Sequence, residues 1–487
     1  MKERSVKTNY FLNLFRVASS ALVGVFIMPY INKILGPESI GKVEYVYVII
    51  NYFILFSALG IPMYGIREIS KVKNNLEERT KATVELLSIL FITSILSYII
   101  LLGVLYNLNY FASYKDLILL MSSMIFLTNI GAEWYFQGME DQLYITVRYV
   151  IVRVVTIFLI FYSINSPDDY LMYAFIMVLT ICGSNLFNLF YLVKTLNFKS
   201  IKIRELHLKR HMKPVLTIFV ATISVNIYLQ LDNFLIGSLV GDKYVGYYSV
   251  SNKLVRFVIS FITIIGTVML PRLSSLYNTD LKSYYMYLKQ SFNIILLLAI
   301  PSTIIFLVYA ENIINLMAGP EFKESIVTMQ IMSPLCIIVG LAYFIGYLLL
   351  YTQHKEKIYT IAVIISALFS LSVNFFIIKL YYHNGAALVS VLAELFAIVI
   401  MFYIERKEVK KMSIFNRNFI KIIFCSIIVF SIALLIKIKI DLSNVFILLI
   451  SLALSYILYY LLLFIVRETT ISEFVYIGLN KLKKTNK

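Results

Sequence analysis

Seven ionisable residues sit inside stretches that are otherwise almost wholly apolar. The cations are Arg16, Arg148, Arg153, Lys253 and Arg256, and the acids are Asp232 and Glu394. A charge in the middle of such a stretch costs about 2.5–3.5 kcal/mol on insertion scales, so it turns toward a water-filled cavity or a partner. Lys253 and Arg256 are three residues apart and share one helix face, with Asn252 beside them. A face with two cations does not point at lipid. Two readings follow. In the first, the five cations line a cationic cavity that receives an anionic group, the arginine forks matching phosphate oxygens. In the second, they neutralise buried acids, Arg256 with Glu394 or Arg153 with Asp232. Glu394 is the first candidate for ion or proton coupling and Asp232 the second, because a carboxyl withdrawn from water holds a proton more readily. Glu133 reads as a local cap or pair. The amides Asn185, Asn188, Asn226, Gln230 and Asn374 read as helix-to-helix hydrogen bonds or as sugar contacts.

These residues are carried by helices long enough to cross a bilayer. Of the 487 residues, 60% are apolar and only 15% charged, whereas a soluble domain is about half apolar and a quarter charged. The chain divides into fourteen apolar stretches, at 10–34, 43–66, 82–106, 117–138, 143–164, 170–194, 214–238, 245–270, 290–309, 327–351, 358–379, 385–404, 418–437 and 443–466. Most run to about 20 residues, which at 1.5 Å per residue matches a hydrocarbon core of roughly 30 Å. β-Barrel strands are shorter and alternate in polarity, and these stretches do neither. The expected fold class is therefore an all-α integral membrane protein of about fourteen helices.

The net charge of +17 is gathered on one side of that bundle. With the N-terminus inside, five Lys or Arg fall in 67–81, seven in 194–213, five in 405–417 and five in 467–487, while the alternate loops hold few. This bias is the positive-inside pattern, and an even number of spans puts both termini in the cytoplasm. It gives no support to a nucleic-acid partner. The outer loops are short, the longest being 310–326. A polysaccharide polymerase would be expected to carry a large outer loop, and a glycosyltransferase a cluster of acids or histidines at one membrane face. His207 and His211 are spaced i, i+4, yet no carboxylate pair lies near them in sequence, so no metal site is expected. No phosphate-binding glycine loop with its lysine appears, which argues against direct ATP use. The expectation is a transporter rather than an enzyme, with no bound cofactor.

Two segments repeat at an offset of 205 residues. Leu35-Gly36-Pro37-Glu38-Ser39-Ile40-Gly41 is matched by Val240-Gly241-Asp242-Lys243-Tyr244-Val245-Gly246. At the same offset Arg67 matches Arg272 and Ser70 matches Ser275. Glycine suits tight turns that need a positive φ. Six spans precede the second copy, so the halves share one orientation, as in parallel-repeat transporters with a substrate site at the repeat interface. The expected organisation is an N-terminal lobe over 1–200, a second lobe over 201–411, and a terminal helix pair with a basic tail over 412–487.

The turn Gly36-Pro37-Glu38-Ser39-Ile40-Gly41 resembles the first outer loop of Wzx-type polysaccharide-repeat flippases. Trp134-Tyr135-Phe136-Gln137-Gly138, Asp232-Asn233-Phe234-Leu235-Ile236-Gly237 and Gly319-Pro320-Glu321-Phe322 are similar to later segments of the same group. The resemblance implies the fold of the multidrug/oligosaccharidyl-lipid/polysaccharide exporter superfamily, with two six-helix lobes and two extra helices. Gly36, Gly41, Gly241 and Gly246 would be the motif turns. It further implies a polyprenyl-pyrophosphate-linked oligosaccharide as cargo, moved from the inner to the outer leaflet of the cytoplasmic membrane. Alternating access would be driven by an ion gradient or the membrane potential. Membrane lipids and polysaccharide-assembly proteins would be the partners. The alternatives are a flippase for teichoic-acid or peptidoglycan precursors, a multidrug or metabolite exporter of the same superfamily, and, from another class, a membrane-embedded polymerase or glycosyltransferase.

Overall fold

A computed structural model of the chain describes residues 6–197, 201, 203–412, 416–440 and 445–472, though not every side chain within them. The charges at Met1–Arg4, most of the basic tail and the side chain of Asn226 lie outside the described residues. Among the described residues every regular element is helical.

By internal contacts the chain forms two compact units, Met1–Gly246 and Tyr247–Lys487. The first is built from α1 (Val6–Ala58), α2 (Ile61–Lys71), α3 (Leu76–Gly103), α4 (Lys115–Ile130), α5 (Glu133–Gly138), α6 (Gln142–Ser163), α7 (Tyr170–Thr195) and α8 (Lys209–Leu239). Helix α9 (Asp242–Thr279) starts at its end and leads into the second unit. There follow α10 (Leu281–Val308), α11 (Ala310–Met317), α12 (Ser325–Met332), α13 (Leu335–Tyr343), α14 (Glu356–Ile404), α15 (Arg406–Lys411), α16 (Arg417–Lys439) and α17 (Val445–Ile465). A π-helical stretch, Phe344–Leu350, continues α13.

Among the described residues, eleven segments are long and apolar enough to cross a membrane. The chain is thus a multi-pass helical membrane protein, and the number fourteen is not reached by that criterion. Two segments of 49 residues, Val23–Lys71 and Glu356–Ile404, hold stretches that the hydropathy pattern divides in two. At 1.5 Å per residue each would be about 74 Å long, more than twice a hydrocarbon core. Within α1 and α14 one residue leaves helical geometry, Gly36 at φ 70° and Tyr382 at φ 53°, so each consists of two helices that meet at a kink. The breaks expected at 35–42 and 380–384 are there, as tight kinks rather than extended loops. Helix α8 is the further apolar stretch, and part of its side chains lies outside the described residues.

The two repeated turns interlock. Gly36 and Gly241 both hold positive φ, 70° and 104°. A Cβ on Gly41 would overlap the carbonyl of Asp242, and one on Gly246 would overlap the carbonyl of Pro37. Pro37 and Asp242 are themselves equivalent at the 205-residue offset, so the contact is reciprocal. Nearby, Gly237 leaves no room for a side chain beneath the Tyr45 ring, whose hydroxyl reaches Ser238 Oγ at 3.0 Å. Tyr114 donates to Asp242 at 2.8 Å. At the opposite end of this unit, Trp134, Tyr135 and Phe136 sit in a buried core with Ile61, Tyr64 and Leu86. There Gly65 lets the Trp134 ring lie against the α2 backbone.

Gly41→Ala and Gly246→Ala are therefore expected to lower stability by roughly 1–3 kcal/mol each, the usual cost of overpacking. Gly103→Ala, which meets nothing within 4 Å, should leave it unchanged. Thermal unfolding of the detergent-solubilised protein, read as loss of the monodisperse peak after heating, separates the two outcomes.

Candidate functional site

Two charge clusters and one ion pair take up four of the seven charges singled out in the apolar stretches, Arg16, Arg148, Arg256 and Glu394. In the first unit, Glu133 opens α5 directly after Ala132, whose φ of 39° is unusual for a residue with a Cβ. That turn aims the carboxylate at two arginines. Arg16 Nη1 donates to Glu133 Oε1 at 3.0 Å, and Arg148 Nη2 lies 3.2 Å from Oε2. Gln137 Nε2 adds a third donor at 3.1 Å. Arg148 also donates to the Ser184 carbonyl at 3.0 Å and is 4% exposed. Glu133 thus pairs locally with Gln137, as its position in sequence suggested, and also with Arg148 on α6 and with Arg16, 117 residues away. The cluster carries a net charge of +1, and its most buried member is held by a carboxylate and a carbonyl rather than presented to a cavity.

Arg153 lies five residues beyond Arg148 on α6, about 140° around the helix, so the two do not share a face. Its guanidinium stands 5.5 Å from the centre of the Tyr149 ring. Asp232 is half-buried on α8, and its charge is felt at the Tyr52 hydroxyl.

In the second unit Arg256 on α9 faces Glu394 on α14, Nη1 to Oε1 at 3.9 Å. Both are partly open, 31% and 14% exposed. A direct charge-assisted bond is about 2.7–2.9 Å, so Arg256 is not locked into a bidentate fork. Lys253, three residues earlier on α9, is exposed. This pairing is one of the two arrangements open from the sequence.

A cluster that hydropathy and spacing missed lies in the first unit. Glu85 in α3 is fully buried. It accepts from the His207 backbone N–H at 2.8 Å, from Arg210 Nη2 at 2.5 Å, and pairs with His211 Nε2 at 2.8 Å. His211, also fully buried, is held on its other nitrogen by the Tyr64 hydroxyl at 2.8 Å. With Nε2 protonated, the ring donates to Glu85 and Nδ1 accepts from Tyr64, while Arg210 Nε lies 3.2 Å from the same Nε2. The network ties the start of α8 to α2 and α3. The available signal was a lone acid one turn inside an apolar stretch, and its partner is 126 residues away. Among the described residues no group of His, Cys, Asp and Glu could hold a metal ion.

In the second unit, outside the spans, Lys355 bridges to Glu405 at 2.8 Å. Burial alone would push Glu408 up, but hydrogen bonds from Lys411 and Tyr285 outweigh it and hold its carboxyl below the ordinary carboxylate range.

The model of a polysaccharide biosynthesis protein family matches residues 6–277, and that of the lipid II flippase MurJ matches residues 145–466. A candidate O-antigen transporter of Escherichia coli (strain K12) is 21% identical over 399 residues, covering 80% of this chain and 94% of that protein. Its namesake from Shigella dysenteriae is 22% identical over 385 residues, covering 78% and 94%. Among solved structures, the chain is similar to the lipid II flippase MurJ in an inward closed conformation, with TM-score 0.71, 15% identity, and coverage of 97% of this chain and 99% of that one. It is also similar to an inward-facing multidrug resistance MATE family transporter of the MOP superfamily, with TM-score 0.64, 15% identity, and coverage of 85% and 96%. These structural likenesses establish the exporter fold.

Glu85→Ala strips the acceptor from three donors, of which the His211 ring is fully buried. A loss of roughly 1–3 kcal/mol is expected, the penalty for leaving buried polar groups without partners. Release of the start of α8 should also speed trypsin cleavage at Lys209 and Arg210. The exposed Glu77→Ala should change neither the thermal midpoint nor the cleavage rate.

Proposed function

Because the chain belongs to the polysaccharide biosynthesis protein family, as a Wzx-type flippase of the multidrug/oligosaccharidyl-lipid/polysaccharide exporter superfamily, we propose that it moves a polyprenyl-pyrophosphate-linked oligosaccharide from the inner to the outer leaflet of the cytoplasmic membrane. The cargo would be a polysaccharide repeat unit. Both termini lie in the cytoplasm in this reading, which the inward bias of Lys and Arg supports. The lobes are 1–200 and 201–411, with the pair 412–487 appended. Membrane lipids and the enzymes of glycan assembly are its partners.

The observation that carries the assignment of chemistry is the loose Arg256–Glu394 pair in otherwise apolar helices. A diphosphate must have its charge compensated when it leaves water. Arg256 offers a guanidinium held at 3.9 Å, near enough to keep the resting site neutral and far enough to be claimed by a phosphate oxygen. Lys253 lies on the same face, and Arg153, Arg16 and Arg148 would add positive potential. Glu394, once displaced from Arg256, is a carboxylate in a poorly solvated site and takes up a proton or an ion. Capture of the cargo and uptake of that ion are thereby linked. Asp232 is the second candidate for this role. No cofactor takes part, and the ion gradient or membrane potential supplies the driving force.

Arg256→Ala is expected to abolish export while the protein remains inserted at normal abundance. Lipid-linked intermediates then accumulate on the cytoplasmic leaflet, and full export by this variant would overturn the assignment. Glu394→Gln separates coupling from passage. In proteoliposomes it should keep exchange of a fluorescent polyprenyl-diphosphate glycan across the bilayer but lose acceleration by an imposed gradient. A gradient response equal to wild type would remove Glu394 from the coupling role.

A further inference from the structure

Three tyrosines of the second unit form a continuous stack. Tyr343 and Tyr347 lie with ring centroids 4.5 Å apart and planes 17° apart, and Tyr347 and Tyr351 lie 4.9 Å apart at 10°. Near-parallel rings at these centroid distances are offset-stacked, one of the arrangements aromatic pairs prefer. The three tyrosines follow at intervals of four residues along one helix face, and residues 344–350 between them are π-helical. Two glycines seat the stack: a Cβ on Gly266 would overlap the Tyr343 ring, and one on Gly346 would come within 2.5 Å of Tyr359. Tyr359 in turn packs edge-on against Tyr347 and Tyr351, at 5.4 and 5.9 Å. A π-helical turn is rare and is found frequently at functional sites.

The stack shares its surroundings with the ion pair. The charge of Glu394 is felt at Tyr359. Arg256 and Glu394 are partly open, and open charged atoms at this depth need water, so that surface faces an aqueous space and not lipid. Gly266, which seats Tyr343, is ten residues beyond Arg256 along α9, or about 15 Å. From there the rings descend one turn at a time toward Tyr351, which is 37% exposed.

We propose that Tyr343, Tyr347 and Tyr351 form a carbohydrate-contacting track, taking the glycan of a lipid-linked cargo whose diphosphate is held near Arg256. This deepens the flippase reading and rests on it. The phenol edges offer apolar C–H surface and a row of hydroxyls, and the open face of Tyr351 offers a π-surface for the C–H face of a pyranose ring. Such contacts tolerate many sugars and keep hold of a glycan as it shifts.

The test compares two lipids on the full-length protein in nanodiscs: bare polyprenyl diphosphate, and the same lipid bearing an oligosaccharide of about five sugars that begins with N-acetylglucosamine, long enough to reach the roughly 25 Å from Arg256 past Tyr343 to Tyr351. Tyr351→Leu and the double variant Tyr347→Leu/Tyr351→Leu are expected to weaken binding of the glycan-bearing lipid roughly fivefold to tenfold. Binding of the bare lipid should stay within about twofold, a change smaller than one aromatic contact is worth. Tyr351→Phe, which keeps the ring, guards against misfolding and should retain most of the preference. Equal loss for both lipids, or no loss for either, overturns the track while leaving the flippase reading intact. Failure of the wild-type protein to bind either lipid overturns both.

Discussion

The cost of a charge in hydrocarbon governs how this protein is built. Every ionisable side chain within the helices must be matched or wetted, and the structure uses both solutions. Arg148 and Glu85 take the first. Arg148 is 4% exposed between Glu133 and the Ser184 carbonyl, and Glu85 is wholly enclosed by His207, Arg210 and His211. Breaking such a buried group's bonds is expensive, so these clusters act as fixed rivets. Arg256 and Glu394 take the second. Their separation is longer and both side chains are partly open. The same physics therefore separates charges enclosed by their partners from charges that keep contact with water.

The fold was legible because lipid imposes a simple rule: long apolar stretches must be helices. Composition and stretch length were enough for an all-helical membrane bundle. The stretch boundaries were less so, because hydropathy cannot distinguish a loop from a kink. Gly36 and Tyr382 each bend a helix where polar residues implied a break. The short motif at 35–41 and its copy at 240–246 were visible as text, but only the coordinates bring Gly41 onto Asp242 and Gly246 onto Pro37.

The charged clusters were legible in part, and for a definite reason. A sequence shows which residues are out of place in an apolar stretch but not which partner a long-range fold supplies. Arg256 with Glu394 could be named because so few acids lie at that depth. Glu133 was taken as local, although both of its arginines come from other helices. Glu85 was passed over because it sits only one turn inside its stretch, where an acid is easily read as interfacial. The tyrosine stack was hidden for another reason. Spacing of four only says that the rings share a helix face, and nothing in Tyr343-Phe344-Ile345-Gly346-Tyr347 announces a π-helix.

The repeat adds a final constraint. Carried along the chain, the 205-residue offset that aligns the glycine turns sets Arg256 against Asn51, Glu394 against Leu189, Arg148 against Gln353 and Glu133 against Ile338. The turns are duplicated and these four charges are not. Backbone geometry at a kink depends on one or two glycines and survives divergence of everything around it. A charged cluster needs all its members at once, so each half has had to settle its own. In the first unit the carboxylate is saturated by two arginines and a glutamine. In the second it stands 3.9 Å from the Arg256 guanidinium, with both side chains partly open. In the proposed reading the enclosed cluster fixes its own charges, and the more open pair is the one that an anionic headgroup can approach.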